Sequence, residues 1–387
     1  MVVPCLALLL GALFPVVPWF RIIAVDLVPN HTAWFLLWSI IALLIGLLAN
    51  SAQRSRVALA LVTVSAITVQ VAAGVILHLL YVAQSNGARI DVVKALDLRE
   101  FSTGARPDET RVYSRTPGED LKLDIYRPSR NEPGGLSPVL VAVHGGGFYQ
   151  GSRAFGAANL RWYADHGWTV VSIDYRLARD DRPTWNLASQ DVICALAWTA
   201  SHAAELRIDL GRVTLSGGSA GGTLAMTAGY LANAGRAKTD CGPTLPHIAA
   251  IIVKVPLIDP ARSWDTPGEL RDEQRSYLIR YIGGSPKDYP DRYAALDLRK
   301  FQFRTNPPTL ITGGAQDAIL PPGAATDFTR TASIAGLAVQ QILFPYSGHE
   351  FNTTYDSITN QALRQINAQF IIDHKAGPRI AGLALDD

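Results

Sequence analysis

Ser219 stands in a setting suited to nucleophilic attack. It lies within Gly217-Gly218-Ser219-Ala220-Gly221-Gly222, which contains the pattern G-x-S-x-G, between the apolar run Val213 to Leu215 and the Ala- and Leu-rich stretch Ala220 to Ala232. A strand leading in and a helix leading out would set this serine on a tight turn, its hydroxyl exposed at the helix N-terminus. Small neighbours suit a backbone forced close to adjacent strands. A serine hydroxyl needs a base to remove its proton and an acid to orient that base. Beyond the last apolar run lie His349 and His374. His349 follows Phe344-Pro345-Tyr346-Ser347-Gly348 directly, whereas His374 falls near the end of a C-terminal helical stretch, so His349 is the candidate base. Asp317 stands one short loop after another apolar run, behind Thr312-Gly313-Gly314-Ala315-Gln316, and is the candidate acid. A further segment, His144-Gly145-Gly146-Gly147-Phe148, offers backbone N–H groups that side chains do not shield. Such groups stabilise the negative charge that develops on a carbonyl oxygen during acyl transfer. The expected donors are the N–H groups of Gly146, Gly147 and Ala220. His144 is expected to hold the loop by a structural hydrogen bond.

These residues need a scaffold that brings distant loops to one edge. Val112 to Ser114 and Leu121 to Tyr126 read as short strands joined through Pro117-Gly118. Continuous apolar runs follow at Pro138 to Val143, Thr169 to Ile173, Val213 to Leu215, Ile248 to Val255, Thr309 to Thr312 and Val339 to Phe344. Runs that are apolar throughout, rather than alternating, suit parallel strands covered on both faces. Helical segments such as Trp185 to Leu206, Ala220 to Ala232 and Ala324 to Ile334 lie between them. This order predicts a doubly wound, mostly parallel α/β sheet with its site at the carboxyl ends of the strands.

The chain resembles the α/β-hydrolase superfamily from about residue 110 to 375, in the branch of hormone-sensitive lipase-like, arylacetamide deacetylase-like and feruloyl-esterase-like enzymes. The resemblance rests on HGGGF at 144–148, DYRLA at 174–178, GGSAGG at 217–222, GGAQD at 313–317 and SGHEF at 347–351. It implies a carboxylic ester hydrolase with Ser219 as nucleophile, His349 as base and Asp317 as orienting acid, in the chain order of that fold. Asp174 and Asp191, in similar blocks, are read as structural. Two departures stand out. Gly218 occupies a position where many lipase-like members have Asp, and the N-terminus differs from that of the soluble members. The insert Asp259 to Asn306, with Trp264, Tyr277, Tyr281, Tyr289 and Tyr293, is one candidate cover for the acyl pocket, although aromatics in such a segment more often serve ordinary packing.

That N-terminus is nearly devoid of charge. Of 68 charged side chains, only Arg21, Asp26, Arg54, Arg56 and Arg89 fall in the first 90 residues. The runs Val2 to Phe20, Leu27 to Asn50 and Val57 to Ala83 each approach the roughly 20 residues that cross a bilayer as a helix, which predicts about three spans (2–20, 27–50, 57–83). The expected organisation is a transmembrane region over 1–85, a connector over 86–107, a catalytic domain over 108–376 and a tail over 377–387. The location implied is a multi-pass cell membrane protein. Arg54 and Arg56 oppose Arg21, Arg89, Lys94 and Arg99 in setting orientation, so the side on which the catalytic domain lies stays open. A net charge of +2 without like-charge blocks argues against a nucleic-acid partner. Cys5, Cys194 and Cys241 make neither a disulfide framework nor a zinc set, and whether Cys194 and Cys241 pair is open. The scheme calls for no cofactor or metal. Its partners are a small-molecule or lipid ester and the lipid bilayer. The same triad would also serve an acyltransferase or amidase, and a hydrolase fold that has lost activity would serve as a membrane scaffold.

Overall fold

The computed structural model describes residues 2–14, 16–130, 132 and 134–385. The N-terminal region holds two long helices rather than three spans. Helix α1 (Val2–Leu13) has 12 residues, about 18 Å and too short for a 30 Å hydrocarbon core. Pro18 then opens helix α2 (Pro18–Gln53) at a first-turn position, where its missing N–H costs nothing. The expected second span is therefore part of a 36-residue helix about 54 Å long. Helix α3 (Arg56–Ser85) returns antiparallel after a turn made by left-handed Arg54 and by Ser55, whose side chain caps the N–H of Ala58. Only α2 and α3 are long and apolar enough, among the described residues, to cross a bilayer.

The sheet has eight strands: β1 (Glu109–Thr116), β2 (Glu119–Tyr126), β3 (Ser137–Val143), β4 (Thr169–Ile173), β5 (Ile208–Gly218), β6 (Ile248–Lys254), β7 (Thr309–Gly314) and β8 (Val339–Phe344). Their spatial order is β1-β2-β4-β3-β5-β6-β7-β8. The β1–β2 and β2–β4 pairs are antiparallel and the rest parallel. Every residue of β3, β4 and β7 is buried, as strands covered on both faces require.

Helices α4 (Ala157–Asp165), α5 (Ala188–Ser201), α6 (Ala203–Leu206), α7 (Ala220–Asn233), α8 (Pro260–Asp265), α9 (Arg271–Ile282), α10 (Pro290–Ala295), α11 (Gly323–Ile334) and α12 (Ile358–Asp373) complete the fold. Two apolar cores result, one per face. The larger joins Leu215, Val253 and Ile311 to Leu224 of α7 and Phe328 of α11; the other joins Leu140, Ile252 and Leu310 to Trp162 of α4 and Ile366 of α12. Burial of these side chains, at ~25 cal/mol per Å² of apolar surface, is the main force holding the layers. The helical stretch expected over Trp185 to Leu206 is interrupted, because His202 ends α5 and the short α6 follows.

Cys194 and Cys241 form a disulfide across a separation of 47 residues, which answers the question their spacing left open. By chain entropy a closure of that length is worth up to about 4 kcal/mol. It ties α5 to the irregular segment after α7. Asp191 is buried, and its carboxylate takes three bonds of 2.6–3.0 Å from the Arg176 guanidinium. Asp174 bonds Arg153 at 2.8 Å. Both carboxylates bridge to loop residues, and Asp191 does so from inside the protein, because a paired carboxylate can be buried where a lone one cannot.

Candidate active site

Ser219 sits between β5 and α7 with φ 52° and ψ −121°, a strained conformation for a residue with a side chain. Its N–H donates to the carbonyl of Lys254 at 2.7 Å, which pins the turn to the end of β6. The crossing is so close that a Cβ on Gly221 would lie 2.1 Å from the carbonyl oxygen of Val143, so the glycine is a steric requirement.

The loop after β7 delivers Asp317 and the loop after β8 delivers His349. Asp317 Oδ2 lies 2.7 Å from His349 Nδ1, and Oδ1 accepts the N–H groups of Ile319 and Leu320, both at 2.8 Å. A carboxylate can only accept, so Nδ1 carries the proton and Nε2 of the neutral ring holds the free lone pair. Burial disfavours the charged imidazole, but the charge and hydrogen bond of Asp317, with Glu350 beside them, outweigh it and hold His349 above its ordinary pKa. Glu350 is itself held below the usual range, chiefly by the Lys254 ammonium 3.7 Å away.

Ser219 and His349 line one cleft of about 530 Å³ together with Gly145, Gly146, Gly147, Phe155, Tyr277 and Ile319. Gly146 (φ 113°) and Gly147 (φ 58°) take left-handed backbone conformations that turn the loop along the cleft wall. The Ala220 N–H stands at the first position of α7, where no carbonyl of its own helix can accept it. His144 is buried, hydrogen-bonds the Gly145 carbonyl at 2.7 Å through Nδ1 and stacks on Tyr175. Burial pushes its pKa down, so it holds the loop as a neutral ring. Of the residues singled out in the sequence, Gly146, Gly147, Ser219 and His349 line the cleft, Asp317 is bonded to His349, and Ala220 follows Ser219 at the start of α7.

The insert between β6 and β7 supplies α8 to α10. Of its aromatic side chains, Tyr277 lines the cleft, beside Tyr149. Tyr281 instead packs flat on Phe148 at 3.7 Å between ring centres, and Tyr293 is buried. Lys254 is the residue that sequence reasoning passed over. Its ammonium bonds Asn352 Oδ1 at 2.8 Å and the His349 carbonyl at 3.4 Å while lining the cleft. A Cβ at position 218 would touch its side chain at 3.6 Å, so Gly218 and Lys254 share the space. The available signal was a lysine closing the otherwise apolar run of β6.

The BD-FAE family profile matches residues 123–331, more than half of the chain. The chain belongs to the BD-FAE family. The segment shared with the BD-FAE profile contains Ser219, Asp317 and the glycine loop and ends before His349. Among curated proteins, this BD-FAE chain is 30% identical to Esterase LipC of Mycobacterium tuberculosis over 250 residues, 62% of this chain and 59% of LipC. It is 29% identical to an ethyl acetate hydrolase of Pseudomonas putida over 241 residues, 60% of this chain and 72% of that one. The chain thus spans about three fifths of the length of LipC. The solved structure of the thermophilic esterase Est2 from Thermogutta terrifontis, propionate-bound, matches with a TM-score of 0.58 at 25% identity, covering 73% of this chain and 98% of that one. The fold is that of an α/β-hydrolase esterase, with the two long apolar helices added at its N-terminus.

Proposed function

We propose that this BD-FAE protein is a membrane-anchored serine esterase that cleaves carboxylic esters through an acyl-enzyme. The observation that carries the reading is the 2.7 Å bond between Asp317 and His349 in a cleft shared with Ser219 and the glycine loop. Ser219 attacks the ester carbonyl while His349 Nε2 takes its proton. The N–H groups of Gly146, Gly147 and Ala220 receive the developing oxyanion. Histidine then returns the proton to the departing alcohol, and water attacks the acyl-serine by the same steps in reverse order. The esterase names of its relatives support this chemistry, and no cofactor enters it.

The substrate class is an apolar or lipid-derived ester. Tyr277, Phe155 and Ile319 in the cleft suit an apolar arm, and two helices long enough to cross a bilayer would keep the site near lipid. A chain-length series of p-nitrophenyl esters is expected to give kcat/KM values that hold or rise beyond acetyl. A sharp preference for acetyl esters, with no turnover of lipid esters, would overturn the substrate assignment.

The location follows from the hairpin. Both ends that meet the sheet domain lie on one side of the bilayer, and the turn with Arg54 and Arg56 lies on the other. Arginines in a short loop favour the cytoplasmic side, and a structural disulfide belongs in an oxidising compartment. The catalytic domain therefore faces away from the cytoplasm. In intact cells a membrane-impermeant maleimide should label Lys287→Cys and spare Gln53→Cys. The reverse pattern would refute this orientation.

A further inference from the structure

We propose that the first turns of α2 act as a positioning element for the catalytic base, holding the backbone on both sides of His349 in register with Ser219. The proposal rests on the triad reading above and adds a task for the membrane helices beyond anchoring. Pro29 lies inside α2 and has no N–H. The carbonyl of Val25, four residues earlier, is thereby left without its helical donor. The N–H of Gly348 fills that vacancy at 2.9 Å. One residue beyond the histidine, the N–H of Glu350 donates to Asp26 Oδ1 at 3.1 Å. Asn30 closes the contact: its Nδ2 donates to the Glu350 carbonyl at 2.7 Å, and its Oδ1 accepts the N–H of Thr354 at 3.0 Å.

Fewer than two helical turns, Val25 to Asn30, thus fix residues 348, 350 and 354 of the loop that carries the base. The approach is close: a Cβ on Gly348 would lie 2.3 Å from Asp26 Oδ1 and 2.6 Å from the Val25 side chain. Only glycine lets helix and loop meet this way. The acid loop is tied to the same bundle, since Gln316, beside Asp317, donates through Nε2 to the Ala12 carbonyl at 2.7 Å. Asn30 is 3% exposed, so its bonds are not shared with bulk water. A 54 Å helix exceeds the bilayer by several turns, and the excess is the part docked on the loops. The loop contact accounts for Asp26, Pro29 and Asn30 in this helix.

The test uses the full-length protein in nanodiscs and measures kcat, KM, the fluorophosphonate labelling rate, the pH profile of kcat/KM and Tm. Asp26→Ala with Asn30→Ala should lower kcat and the labelling rate by about 10- to 100-fold, as a base displaced by about 1 Å does. KM for a short ester should stay within about two-fold, since neither Asp26 nor Asn30 lines the cleft, and the acid limb of the pH profile should move. Asp26→Asn keeps an oxygen acceptor for the Glu350 N–H and should recover most of the rate, while Leu48→Ala, on the far part of α2, should match wild type. Pro29→Ala guards against misfolding. It restores a helical N–H that competes with Gly348 for the Val25 carbonyl, so it should lower kcat at an unchanged or higher Tm. If a folded Pro29→Ala keeps wild-type kcat and labelling rate, or if losses in the double variant merely track Tm, the positioning role is wrong. If wild type itself resists fluorophosphonate, the triad reading fails first and takes this proposal with it.

Discussion

Ser219→Ala is expected to lower ester turnover by about four to six orders of magnitude, the range seen when a triad nucleophile is removed. The size follows from the arrangement. Without the hydroxyl, His349 and Asp317 have no nucleophile to activate, and the remaining donors of the glycine loop stabilise only a direct attack by water. Those donors supply a residual rate above the uncatalysed reaction. The substitution also removes the atom that a fluorophosphonate modifies, so labelling should disappear along with turnover. Folding should be little changed, because Ser219 is held through its backbone N–H to Lys254 rather than through its side chain. The alanine inherits φ 52°, and so the strain of the turn stays as it was. Equal labelling of wild type and Ser219→Ala would exclude Ser219 as the nucleophile.

Asp317→Asn is expected to cost about 10⁴-fold in kcat with little change in overall structure, by the same logic that governs other serine triads. The carboxylate holds Nδ1 protonated and so keeps the Nε2 lone pair available. An asparagine can turn its NH₂ toward Nδ1 and favour the opposite tautomer. The pH profile carries a second, independent readout. His349 acts as a base only when neutral, so kcat/KM rises as pH passes upward through its pKa. In the wild type burial lowers that pKa, but the charge and hydrogen bond of Asp317 prevail and raise it above the ordinary 6.5. Removing the charge leaves burial in control. The acid limb should therefore shift to lower pH even as the plateau falls. A limb that stays in place, measured from pH 5 to 9 with a saturable short ester, would show that Asp317 does not act on the base.

Much of the sheet edge that carries the candidate site was readable in order along the chain. The run Thr169 to Ile173 marked β4 residue for residue, because a strand buried on both faces has no solvent side on which to alternate, and Val339 to Phe344 marked β8 although that edge strand exposes Gln340. Short polar, glycine-rich loops after β5, β7 and β8 then marked where side chains emerge. The glycines of 144–147 and 217–222 were legible because close backbone contact excludes any Cβ, and that exclusion leaves a local trace. Lys254 was not legible, since its meeting with Asn352 and the His349 carbonyl joins residues about 100 positions apart. The first expected span failed for a local reason as well. Its hydropathy resembled that of a span, but a new helix begins at Pro18.

Local spacing and residue type therefore carried the turn of Ser219, the glycine loop, the strand series and the long apolar helices at the N-terminus, because each depends on neighbours within a few residues. Only the tertiary structure decided that Cys194 pairs with Cys241, that two helices rather than three are long enough to span, and that α2 runs on past bilayer length to grip the loop of His349. The carbonyl of Val25 shows the division. Pro29, four residues away, orphans it in a manner visible in the sequence, but the N–H that satisfies it belongs to Gly348, more than 300 residues downstream, and only folding brings that donor within reach.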